Sequence, residues 1–240
     1  REAEAAVMRG DELGPLHGIP VPYKDTEPMK GVIWTHGSLT YKDNIAEVDS
    51  IPLSRVKAAG GIITGKTNTP ENGFAGTTEN RLGPPARNPW NPDKTPGGSS
   101  GGASAAVASG LTSFAPGGDG GGSIRIPAAF AGVYGIKATQ GRVARAGSTT
   151  RNAGHNIMNN ATSGPLTRTV RDAAETLAIF SGYDPRGEYD TITDDVPDYV
   201  GALTKGVKGM KIGWTPDMGG NPVDPEVVKV AESAANTFED

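Results

Sequence analysis

Two glycine-serine clusters constrain this chain more than anything else in it. They are Pro96-Gly97-Gly98-Ser99-Ser100-Gly101-Gly102 and Gly117-Gly118-Asp119-Gly120-Gly121-Gly122-Ser123. The chain holds 35 glycines in 240 residues, against an average usage of about 7%, and they gather rather than repeat. Clustered glycine marks backbone that must turn sharply or come close to another group. Each cluster therefore predicts a fixed loop rather than a linker.

The segments around the clusters alternate in type. Glu2 to Arg9 predicts a short helix stopped near Gly10. In Leu16 to Asp25, Ile19, Val21 and Tyr23 recur with period two, which predicts a proline-framed strand with Lys24 at its end. Asp49 to Ala59 reads as a helix closed by Gly60-Gly61, followed by a strand at Ile62-Ile63-Thr64. Thr67 to Pro96 is rich in Asn, Pro, Gly and Thr and predicts a long irregular segment. Gly101 to Gly110 predicts an Ala-rich helix and Leu111 to Ala115 a strand that leads into the second cluster. Thr169 is placed to cap a helix ending at Gly182, Met210 to Trp214 reads as a strand, and Asp224-Pro225 opens a helix with Val227, Ala231, Ala234 and Phe238 on one face. Such alternation predicts an α/β protein, with a mixed sheet allowed.

Bulk properties exclude several functions. With 23 basic and 27 acidic residues the net charge is −4, so no basic patch grips a phosphate backbone and nucleic acid is not an expected partner. No apolar run is long enough to span a bilayer, and Arg1-Glu2-Ala3-Glu4-Ala5 lacks the layout of a signal peptide. The absence of cysteine removes thiolate nucleophiles and thiolate metal sites and leans toward a soluble cytoplasmic protein. The chain does not begin with Met and stops at Asp240 inside a predicted helix. Residues 1–240 are accordingly read as one domain, incomplete at both ends.

A serine hydroxyl becomes a nucleophile only with a base in hydrogen-bond reach and donors aimed at the oxyanion its attack creates. The glycines before Ser123 suit the second need, because the amides of Gly120, Gly121, Gly122 and Ser123 are free to turn inward together. Neither cluster ends in the Gly-Lys-Ser/Thr of a phosphate-binding loop. Gly97-Gly98-Ser99-Ser100-Gly101 matches a G-x-S-x-G elbow literally, which would make Ser99 or Ser100 the nucleophile. The three prolines between Asn88 and Pro96, however, leave no buried strand ahead of it. His17, His36 and His155 read as loop residues, which leaves a dehydrated lysine as the candidate base. Lys24 is the lysine in an apolar strand, whereas Lys205, Lys208 and Lys229 lie in polar or amphipathic surroundings. A lysine at a strand end is more often a surface or salt-bridged residue, here with Asp25 as neighbour.

The choice is made by resemblance. Gly14-Pro15-Leu16-His17-Gly18-Ile19-Pro20 with Lys24-Asp25, then Gly65 to Glu71, both glycine-serine clusters, Ser123 to Ala128, Gly135-Ile136-Lys137 and Ser163 to Val170 resemble, in order and spacing, the amidase signature family. The likeness runs from about Gly14 to Val170. Gly118 and Ala138 depart from the usual family residues beside the triad.

The resemblance implies a central mixed β-sheet covered by helices on both faces. It also implies a Ser-Ser-Lys triad: Ser123 as nucleophile, Ser99 as relay after a cis peptide, and Lys24 as base. Gly120, Gly121, Gly122 and Ser123 would form the oxyanion hole, with Ser100 and Asp119 as supports. The implied reaction is hydrolysis of a small-molecule amide, anilide, ester or carbamate through an acyl-enzyme, with neither metal nor organic cofactor. The glycine-rich form is similar to the branch holding broad amidases and 6-aminohexanoate cyclic-dimer hydrolase, and the family's habit allows a homodimer. Two other readings stay open: the glutamine-hydrolysing component of a tRNA-dependent amidotransferase, and a non-catalytic module that holds an anion in the glycine loops.

Overall fold

The computed structural model describes residues 1–145, 160–187 and 191–239. The chain divides into two compact units, Arg1–Val200 and Gly201–Asp240. His155 and most of the Asn-rich stretch from Arg151 to Thr162 lie outside the described residues.

The first unit opens with α1 (Glu2–Arg9), whose C-terminal carbonyls are met by the left-handed Gly10. Strand β1 (Pro20–Lys24) follows, then α2 (Ile51–Ala58), capped by the Ser50 hydroxyl, and β2 (Ile62–Thr67). The segment from Asn68 to Ser100 has no regular element beyond one short 3-10 turn at Glu71–Gly73, as its composition predicts. Next come α3 (Gly101–Ala108), β3 (Phe114–Asp119), α4 (Arg125–Ala131), β4 (Tyr134–Gly135), β5 (Thr162–Thr167) and α5 (Val170–Phe180). The Thr169 hydroxyl accepts the Asp172 N–H at the start of α5, as its sequence predicts. A single turn, α6 (Tyr199–Ala202), closes the series.

Hydrogen bonding groups the strands into a parallel pair, β1-β2, and an antiparallel set in the order β3-β5-β4. Along β1 and β2 the register slips once. Val21 pairs with Ile63 but Pro22 pairs with Gly65, which leaves Thr64 as a bulge and sets Lys24 opposite Thr67. Val21 and Tyr23 on β1 join Leu53 and Val56 of α2, Phe114 of β3, and Leu177 and Phe180 of α5 in one core. A second core gathers Ala103 and Val107 of α3 with Ala115, Ile124, Ala128 and Leu166. The molecule is thus α/β, and the two cores meet on either side of β3.

Two segments differ from expectation. β3 starts at Phe114 rather than Leu111 and runs through Gly117 and Gly118 to Asp119, because β5 pairs with it residue by residue along its whole length. Tertiary pairing overrides the weak strand preference of glycine. Beyond the second cluster the chain enters α4, to which no expectation is attached. Met210 to Trp214 forms no strand. Its Met210, Ile212 and Trp214 side chains are exposed, and no described strand pairs with it, so its backbone has no ladder to join. The second unit contains α7 (Pro225–Asn236), capped by Asp224 as predicted.

Candidate active site

Strand β1 delivers Lys24. Because Val21 and Tyr23 anchor the strand in the core, its last residue is held at the end of the sheet and only 2% exposed. Its Nζ lies 2.7 Å from Ser99 Oγ and 2.9 Å from Ser100 Oγ. Burial strips water from the ammonium and lowers its pKa to about 7. Glu27 works against that shift, Arg145 adds to it, and Asp119 opposes it. Asp25 is not the partner of Lys24: it accepts from Thr35, through both the backbone N–H and the hydroxyl, and pairs with Lys66 at 3.5 Å.

The first glycine-serine cluster crosses beneath Lys24. The Gly98–Ser99 peptide is cis, as the resemblance implies. Ser100 sits at the N-cap of α3, yet its hydroxyl caps nothing. It meets Lys24 and Gly118 instead, donating to the Gly118 carbonyl at 3.3 Å, with the Gly118 N–H 3.4 Å away. Thr78, fully buried in the irregular segment, grips the turn from outside. Its hydroxyl donates to Gly97 O at 2.8 Å and accepts from Gly101 N–H at 3.1 Å. A Cβ on Gly101 would stand 2.8 Å from the Thr78 Cβ, so this contact requires glycine. No sequence signal marks Thr78, one of several threonines in a polar stretch.

The second cluster leaves β3 at Asp119, whose side chain is fully buried and organises the loop. Asp119 Oδ1 accepts Gly122 N–H at 2.7 Å, and Oδ2 accepts the N–H groups of Ile124 and Arg125 at 3.1 and 3.2 Å. The Arg125 guanidinium closes on both oxygens at 3.0 Å. Burial works to raise the Asp119 pKa, but these hydrogen bonds prevail and hold it at about 2. The Gly122 N–H is therefore taken, unlike in the expected donor set. The N–H groups of Gly120, Gly121 and Ser123 take no described acceptor.

Lys24, Ser99, Ser123, Gly120 and Gly121 all line one cavity of about 530 Å³. Phe74, Ala75, Ile126 and Ala161 supply its apolar wall, and Glu27 and Arg145 add charges that no motif singles out. The Ser123 carbonyl accepts Ser100 N–H at 3.1 Å, which ties the two clusters together. Among the described residues no hydrogen bond joins the Ser123 and Ser99 side chains, so the Lys24–Ser99 contact is formed and the Ser99–Ser123 contact is not. Catalytic hydrogen bonds often tighten only when substrate is bound. Among the described residues no group of three or more His, Asp or Glu side chains is placed to hold a metal ion, and no helix is long and apolar enough to cross a membrane.

A family model described as Amidase matches residues 1–240. Acylamidase of Rhodococcus erythropolis is 45% identical over 231 residues, covering 96% of this chain and 47% of the relative. A glutamyl-tRNA(Gln) amidotransferase component of Moorella thermoacetica is 42% identical over 242 residues, covering 100% of this chain and 48% of the relative. Among solved structures, a bacterial aryl acylamidase of the amidase signature enzymes superposes with a TM-score of 0.91 at 38% identity, over 99% of this chain and 48% of that one. 6-Aminohexanoate cyclic dimer hydrolase complexed with substrate gives 0.85 at 34% identity, over 99% and 49%. The chain spans about half the length of the curated relatives it matches.

Proposed function

This chain belongs to the amidase signature family, and from that premise we propose that it hydrolyses a carboxylic amide through an acyl-enzyme on Ser123. One observation carries the reading. A buried lysine, half-neutral near pH 7, lies 2.7 Å from a serine hydroxyl in the cavity that Ser123 also lines.

In this mechanism neutral Lys24 takes the Ser99 hydroxyl proton as Ser99 takes that of Ser123. Ser123 Oγ then bonds to the substrate carbonyl carbon. The carbonyl π electrons move to oxygen, where the N–H groups of Gly120, Gly121 and Ser123 meet the negative charge. Collapse of the intermediate breaks the C–N bond, and the proton held on Lys24 returns through Ser99 to the departing amine. Water deacylates Ser123 with the same groups serving as base. Asp119 fixes the loop that presents the donors, and Ser100 holds Lys24 against Ser99. An anilide, ester or carbamate fits the same steps, since only the leaving atom differs. No step calls for a metal or organic cofactor. A cytoplasmic location and a homodimer accompany the proposal.

Intact-mass measurement after fluorophosphonate treatment tests it. One adduct is expected on the wild-type chain and none on Ser123→Ala. An adduct that survives Ser123→Ala refutes the assignment. The likeness to the glutamyl-tRNA(Gln) amidotransferase component over the whole chain favours one second reading, in which glutamine is the amide and ammonia passes to a partner. Hydrolysis of glutamine in preference to acyl anilides would select it.

A further inference from the structure

We infer that Glu27 recognises a cationic nitrogen, so that the amides this site takes carry an ammonium or similar N–H cation in their acyl or amine half. The inference rests on the amidase reading and narrows its substrate class.

Glu27 stands three residues beyond Lys24, in the turn that leaves β1, where its N–H donates to the Lys24 carbonyl at 3.0 Å. It is 8% exposed and lines the cavity. The other charged groups nearby are engaged elsewhere. Lys24 binds the two hydroxyls, Asp119 is held by Arg125, and Lys66 pairs with Asp25 while donating to the main-chain carbonyl of Glu27 rather than to its carboxylate. Arg145 lines the cavity too, but among the described residues no ion pair joins it to Glu27. Among the described residues the Glu27 carboxylate therefore forms neither an ion pair nor a hydrogen bond, although Lys24 and Lys66 lie within its field.

A carboxylate can accept at four lone-pair positions, and those of Glu27 are left unused by the described residues. Its field moreover holds Lys24 more basic than burial alone would, which opposes the work of a neutral base. A carboxylate that lines the cavity, forms no ion pair or side-chain hydrogen bond among the described residues and hinders the base is explained by a partner arriving with the substrate. The apolar wall formed by Phe74, Ile126 and Ala161 suits a hydrocarbon arm leading to that cation.

The test compares binding of 4-phenylbutylammonium and the uncharged 4-phenylbutanol to the full 240-residue chain by calorimetry. The wild type is expected to favour the ammonium by about tenfold or more, the scale of a hydrogen bond to a charged group. Glu27→Gln should bring the ratio close to one, and Glu27→Asp should keep part of it. Parity in the wild type, including binding of neither probe, overturns the inference. So does an unchanged ratio in Glu27→Gln that retains the wild-type circular dichroism. If the variants fail to fold, the wild-type ratio still decides, with parity again overturning it. Fluorophosphonate labelling separates the two levels. Labelled Ser123 without ammonium preference removes only the role of Glu27, whereas preference without labelling removes the hydrolase reading.

Discussion

Replacing Lys24 by methionine should slow acylation by about a hundredfold or more and remove a rise of stability with pH. In the fold Lys24 ionises at about 7, against an ordinary value of 10.5. Below pH 7 the lysine is protonated in both states, and the folded state bears the full cost of a buried charge. Between 7 and 10.5 the unfolded chain holds the proton and the folded chain does not, so stability rises with pH. Above 10.5 both forms are neutral and the cost is gone. At about 1.4 kcal/mol per pH unit, the rise totals about 4 to 5 kcal/mol. Methionine removes this charge but leaves the hydroxyls of Ser99 and Ser100 without a nitrogen partner, a loss of about 1 kcal/mol each. Lys24→Met should therefore be more stable than wild type by about 2 kcal/mol at pH 7 and less stable by about 1 kcal/mol at pH 10. Urea denaturation of both proteins at half-unit pH intervals measures the difference curve, in which other titrating groups cancel. The rate of fluorophosphonate labelling should rise through pH 7 in the wild type and fall by about a hundredfold or more in the variant. A difference curve that is flat from pH 7 to 10 refutes the account of Lys24 as a dehydrated base.

Ser99→Ala should keep the fold and lower the acylation rate by about a hundredfold or more, read by the same labelling kinetics at pH 8. Asp119 has its pKa lowered to about 2 in the fold, so its stabilisation is complete above the unfolded value near 4 and is lost as pH falls toward 2. Asp119→Asn should lose that acid-side slope in urea titrations and destabilise the protein by about 2 to 4 kcal/mol at neutral pH. Gly117→Ala would set a methyl 2.9 Å from Ser100 Oγ, moving the hydroxyl that Lys24 contacts. It should slow labelling and cost about 1 to 3 kcal/mol by thermal unfolding. Thr169→Ala should remove the cap on α5 and cost about 1 kcal/mol.

Local signals in the sequence foretell local structure. The stop at Gly10, the cap at Thr169 and the Asp224-Pro225 start each depend on a few adjacent residues and each stands where those residues put it, while the helix expected over Asp49 to Ala59 spans Ile51–Ala58. β3 departs from its expected span because its bounds come from β5, over forty residues later. Lys24 is legible as an apolar-strand lysine, but its removal from Asp25 is not, since Thr35 and Lys66 claim that carboxylate from distant positions. Gly122 looks like its neighbours in sequence, and only the reach of Asp119 back over the loop separates its N–H from theirs. Glu27, Thr78 and Arg145 carry no motif, and their places are set by the assembled cavity alone.

The bulge at Thr64 decides which of two amines faces the serines. Unbroken pairing onward from Val21 and Ile63 would bring Lys66 directly across from Lys24, two ammonium groups side by side with no carboxylate between them. The extra residue advances β2 by one step, so that Lys66 partners Tyr23 and its charge goes to Asp25. A single supernumerary threonine thus sorts two chemically identical side chains, one into an ion pair and the other into a solitary basic nitrogen.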